Sequence, residues 1–123
     1  MDNSNLNFLY DNKELFDIQI GLKDYYDQLN SLLNKINIRI NNVIHITDYS
    51  IQDLLLIRNL LIYKIKIKNE LYNINYDEKF CNKYKFLLDI YYPNYRYEIN
   101  SYIGNTKLIN NTITLLSNVP IEY

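Results

Sequence analysis

An α+β fold, two helices packed on a small and mainly antiparallel sheet, is what this sequence predicts, and three observations predict it. Between Lys83 and Ile103 two runs alternate: Tyr84, Phe86, Leu88, Ile90 and Tyr92 on one arm, and Tyr95, Tyr97, Ile99, Ser101 and Ile103 on the other. Successive side chains leave opposite sides of an extended backbone, so period-two runs rich in Tyr, Ile and Phe mark half-buried strands. Pro93-Asn94 joins them, because Pro presets φ for a turn and lacks the N–H that a ladder needs, giving a central hairpin at 83–103. Second, Leu22, Tyr25, Tyr26, Leu29, Leu32 and Leu33 recur at steps of three and four, the stripe of a helix. Third, Ser50 and Asp53 stand at the spacing of a capping box ahead of a strongly apolar run, which predicts a helix from Ile51 to about Tyr63.

Taken in order, residues 1–15 are polar with apolar residues at no clear period, and read as a loosely ordered arm. The first helix spans Leu22 to about Leu33. Ile36, Ile38 and Ile40, then Val43, Ile44 and Ile46, read as two short strands about Asn41-Asn42. The helix from Ile51 is apolar on most of its circumference, so it needs cover on more than one side; either the Leu54/Leu61 or the Leu56/Leu60 stripe is expected to be covered only in an assembly. Lys64 to Lys68 alternates strictly and predicts a strand with three Lys on one side, and residues 69–79 read as a loop. Gly104-Asn105 makes a second turn, after which Thr106 to Leu116 fits a short helix or an edge strand.

A chain of 123 residues has the size of one domain, here 1–123, without staples of metal or disulfide. The excess of Asn, Ile, Lys and Tyr, with no Ala at all, follows A/T-rich codons, so a Tyr or Asn carries less information than usual. A net charge of −1 argues against a general nucleic-acid binder, which needs a clustered positive surplus. Residues 34–68 nevertheless hold six bases against two acids. Cys81 is the only cysteine, which rules out an internal disulfide framework and fits a reducing or organellar compartment. The opening MDNSNLNFLYDNKELFD has neither secretory nor mitochondrial-presequence character, and no apolar run approaches the length of a membrane span.

Catalytic chemistry is poorly represented. His45 is the single histidine and lies far in sequence from Cys81, so neither a metal site nor a nucleophilic triad is supplied, and no cofactor is expected. Asp89 and Glu98 would face each other near the hairpin turn, flanked by Lys85 and Arg96, as solvated charges or as an acid–base pair. Gly21 and Gly104 stand alone and form no phosphate loop. Enzymatic activity by this chain alone is not expected.

The order of parts, ending in the pair KYKFLLDIYY and NYRYEINSYI, resembles the thirty-kilodalton subunit family of respiratory complex I, called subunit nine when organelle-encoded. That family carries a strand like FEVVYNLLSI, a turn, a strand like RIRVKTYV and a stretch like SANWYERE. Here TKLINNTITLLSNVPIEY stands in for a Thr/Pro/Ile/Ser-containing segment and that last stretch, with Ser117 and Asn118 at the SAN position, and the family's E-R-E-x-x-D-x-x-G motif is missing, as in a shortened or split version. The resemblance implies a non-catalytic structural subunit of the quinone-side module, on the matrix side of the mitochondrial inner membrane, with other protein subunits as partners and no span of its own. Val119, Ile121 and Tyr123 would insert beside a partner, with Arg96 and Glu98 at the rim. Two other readings stand beside it: a host-interaction protein of an A/T-rich virus or phage, and a nucleic-acid accessory using Lys35, Arg39, Lys64, Lys66 and Lys68.

Overall fold

Helices stand where the sheet was expected. The computed structural model describes residues 3–45, 48–98 and 103–117, and these form α1 (Ser4–Asp11), α2 (Lys13–Ile44), α3 (Ile51–Asn73), α4 (Glu78–Tyr91) and α5 (Thr106–Ser117), with no strand among them. The α+β expectation is therefore overturned. The chain divides into two compact units, residues 1–25 with 75–104 and residues 26–74 with 105–123.

The central hairpin fails first. Its first arm lies in α4, where Asp77 accepts a hydrogen bond from the Phe80 N–H at 3.0 Å and so starts the helix. The same residues carry a helical stripe, Cys81, Tyr84, Leu87 and Leu88, all buried, whereas Phe86 and Ile90 of the expected strand face are exposed. Pro93-Asn94 does make a turn, closed by the Tyr95 N–H donating to the Tyr92 carbonyl at 2.8 Å, but it follows a helix, and residues 95–98 after it form no regular element. Residues 99–102, part of the second arm, lie outside the described residues.

The shorter expected strands fail for the same reason. Ile36 and Val43 are buried while Ile38 is half exposed, a helical rather than an alternating pattern, and α2 runs through all three. Within 64–68 only Ile67 is buried and Ile65 is exposed, because α3 continues past Tyr63 to Asn73. The expected loop 69–79 shrinks to the segment between α3 and α4. The start of α3 agrees with expectation: Ser50 and Asp53 form a reciprocal capping box, the Asp53 N–H donating to Ser50 Oγ at 3.1 Å and the Ser50 N–H to Asp53 Oδ2 at 3.0 Å. Thr106 to Leu116, left open by the sequence, is helical; Asn105 caps it by accepting from the Leu108 N–H at 2.9 Å.

In the first unit, α1 occupies most of the stretch expected to be a loose arm, and Leu9 joins Phe16, Ile20, Cys81, Tyr84, Leu87 and Leu88 in one core. Phe16 and Tyr84 stack at 4.1 Å between centroids, and the Tyr84 hydroxyl donates to the Leu9 carbonyl at 2.6 Å. That bond satisfies a polar group whose burial alone would cost about 1–3 kcal/mol. Buried Gln19 accepts from the Asp77 N–H at 2.8 Å and ties α2 to the start of α4. In the second unit the buried side chains are almost all aliphatic: Leu29, Leu32, Ile36 and Val43 of α2, Leu60 and Ile67 of α3, and Leu108 of α5, which packs against α3. Thr112 is buried there too, its hydroxyl donating back to the Leu108 carbonyl at 2.7 Å.

Candidate interaction surface on α3

At 100° of rotation per residue, most apolar residues of α3 fall into two stripes on opposite sides of the helix, with Ile57 and Leu71 between them and half-buried Ile62 within the outer arc. Leu56, Leu60, Tyr63 and Ile67 form the inner stripe, with Leu60 and Ile67 fully buried. Ile51, Leu54, Leu55, Leu61, Ile65 and Tyr72 form the outer one, within an arc of about 140°. They remain open: Leu54 is 56% exposed, Leu61 44%, Ile65 60% and Tyr72 90%. The outer stripe runs about 32 Å along the helix. Of the two stripes named from the sequence, Leu54/Leu61 is thus the open one and Leu56/Leu60 the covered one.

Charge within the outer stripe is of one sign. Arg58 and Lys68 lie in the outer stripe and are exposed, and neither has a partner among the described residues. Asp53 sits on the inner side, its carboxylate engaged by Ser50, and Glu70 lies on the flank away from the outer stripe. Helical geometry also breaks the expected row of three lysines: Lys64 and Lys68 are one turn apart on one side, while Lys66 turns away and lies 4.9 Å over the Tyr63 ring.

The remaining candidates are not brought together for chemistry. His45 is exposed just after α2. Cys81 is buried in the other unit, where burial above all raises its thiol pKa, so it is not an activated nucleophile. Asp89 is exposed on α4 and Glu98 lies in the segment after the Pro93-Asn94 turn, not opposed across two strands. Arg96 and Glu98 are exposed on either side of Tyr97, whose ring meets Phe16 edge-on at 5.5 Å; Val119, Ile121 and Tyr123 lie outside the described residues. Among the described residues no group of three metal-ligating side chains is clustered, and no helix is long and apolar enough to cross a membrane. An open cleft of about 350 Å³ between α3 and α5 is lined by Lys66, Asn69, Glu70, Lys107 and Asn111, with neither His nor Cys.

The sequence reading missed the last ten residues of α3 and therefore the far half of the outer stripe. The signal is present, since positions 51, 54, 58, 61, 65, 68 and 72 step by three and four across the supposed strand. No protein-family model, no curated protein and no solved structure gives a significant match to this chain.

Proposed function

We propose that this chain is a non-catalytic helical interaction protein, a structural partner in a larger assembly, and that it works through the outer face of α3. One observation carries the reading: an apolar stripe about 32 Å long stays open on a helix whose opposite stripe carries the fully buried Leu60 and Ile67. Scattered exposed apolar residues are ordinary, but an apolar row of this length on one helix face, interrupted only by Arg58 and Lys68, is the form taken by surfaces that receive a partner. The narrower assignment to the quinone-side module of complex I leans on a strand pair at 83–103 whose first arm lies in α4, so the proposal rests on α3. The nucleic-acid reading loses its one-sided lysine row in the same way.

The test pairs a surface variant with a core variant in the full chain. Leu54→Ser with Leu61→Ser is expected to shift stability by no more than about 0.5 kcal/mol per substitution, as surface changes do. It should also remove most binding of an apolar dye such as bis-ANS and release the chain from its assembly on a native gel. If this variant melts as early as Leu60→Ser, or keeps both the dye and the assembly, the outer face of α3 is not the working surface.

A further inference from the structure

We infer that the occupant of the outer face of α3 is an acidic amphipathic helix of another protein, lying along α3 with carboxylates against Arg58 and Lys68. This rests on the reading of α3 as the working surface and adds the chemistry of what it receives.

Spacing gives the shape of the occupant. Ile51, Leu54, Arg58, Leu61, Ile65, Lys68 and Tyr72 step by three, four, three, four, three and four, a heptad seam sustained for three repeats. A seam of this kind drifts by about 20° per heptad and faces a second helix along its length when the two wind slowly about each other, the partner's residues entering the holes between its side chains. Leu55 is exposed beside it and widens the apolar surface on one side.

Charge gives its composition. Two of the seven seam positions are cationic and none is anionic, and the two carboxylates of α3 are held elsewhere, Asp53 in the cap and Glu70 on the far flank. Covering Arg58 and Lys68 with an apolar surface would strand two charges away from water, a loss that carboxylates on the occupant remove. Arg58 in particular offers a planar fork that a carboxylate meets with two parallel hydrogen bonds.

The same cations exclude a second copy. Antiparallel pairing about Leu61 sets Arg58 against Ile65 of the second copy and Lys68 against its Leu54. Parallel pairing sets like against like. Either way four cations are covered and no carboxylate is brought to them. A lipid surface fits less well, because interfacial helices keep their cations at the edges of the apolar face, whereas Arg58 stands within it between Leu54 and Leu61.

The experiment uses the full chain and two synthetic three-heptad peptides, both with Leu at the seam positions, one flanked by Glu and the other by Lys. Binding is read by fluorescence anisotropy at low and high salt. The Glu peptide is expected to bind at least about tenfold tighter than the Lys peptide, with the preference weakening in salt. Arg58→Glu with Lys68→Glu should reverse the preference, while circular dichroism shows the fold retained. Equal affinity for both peptides, or no reversal, overturns the proposal. Self-association of the pure chain that Leu61→Asp abolishes would make the occupant a second copy. Binding to phosphatidylserine vesicles that the charge reversal abolishes, with neither peptide bound, would make it a membrane. Both results sink the acidic helix and leave α3 as the working surface, whereas indifference of every binding reaction to Leu54→Ser with Leu61→Ser sinks both.

Discussion

Residues 1–25 with 75–104 and residues 26–74 with 105–123 bury different chemistry. The first unit has an aromatic core, with Phe16 stacked on Tyr84 and Phe8 and Phe80 beside them, closed by a hydroxyl that needs the Leu9 carbonyl at one position. The second is aliphatic, and its buried side chains ask for apolar neighbours rather than for a particular acceptor. Net charge divides in the same way, nine acids against six bases in the first unit and five against seven in the second. The buried polar groups described in the first unit are partnered, though Phe86 and Ile90 of its α4 stay exposed; the second carries α3, a helix with one apolar stripe spent on its own core and one still open. Where a helix has two apolar sides, the fold explains only one of them.

Core truncations test that comparison most severely. Phe16→Ala in the first unit and Leu60→Ala in the second each remove a fully buried side chain and should cost about 3–5 and 2–5 kcal/mol, respectively, in urea denaturation. Cys81 is the only cysteine and lies in the first core, so thiol labelling reports on that unit alone. Phe16→Ala is expected to speed labelling far more than Leu60→Ala; equal acceleration would mean one shared transition and would erase the distinction.

Alkaline pH offers a smaller test of the same kind. Burial first of all holds both the Tyr84 phenol above its ordinary 10.0 and the Cys81 thiol above its ordinary 9.0. Both groups are neutral when protonated. Their contribution is therefore complete below those ordinary values and disappears as pH rises through the raised folded ones. The first unit should lose stability from about pH 9 upward. Tyr84→Phe is expected to flatten the upper part of that fall and to remove about 1 kcal/mol at neutral pH. An unchanged alkaline profile in that variant would place the titrating group elsewhere. Smallest is the cap: Ser50→Ala should cost the second unit about 1 kcal/mol and leave Cys81 labelling as it was, and a larger loss would mean the box holds more than the start of α3.

Legibility in the sequence follows the caps rather than the periods. Ser50 and Asp53 announce α3, and Pro93-Asn94 announces a turn, because each acts through local backbone chemistry that tertiary packing does not revise. Between them the apolar pattern is ambiguous. KYKFLLDIYY contains Tyr84, Phe86, Leu88 and Ile90 at period two and also Tyr84, Leu87, Leu88 and Tyr91 at helical steps. A chain so rich in Ile and Tyr satisfies both templates, and β-propensity then favours the wrong one. Asp77-Glu78 ahead of that run, a cap with an acid in the first turn, is the deciding signal, and it stands in a polar stretch that otherwise reads as loop. For the candidate surface, the apolar excess of Ile51 to Tyr63 is visible, but its true length is hidden by Lys64-Ile-Lys-Ile-Lys68, whose alternation mimics a strand inside a helix.

Gly104 has a consequence for how relatives of this chain are recognised. Its φ of +115° is a conformation that side chains rarely adopt, and a Cβ there would lie 2.5 Å from the buried ring of Tyr25. Any other residue at position 104 would meet both the strained backbone and the Tyr25 ring. Elsewhere Ile, Leu and Val can exchange until overall identity fades. A distant relative is therefore better sought by a glycine standing just before an Asn-capped helix, opposite an aromatic residue in a long second helix, than by overall similarity.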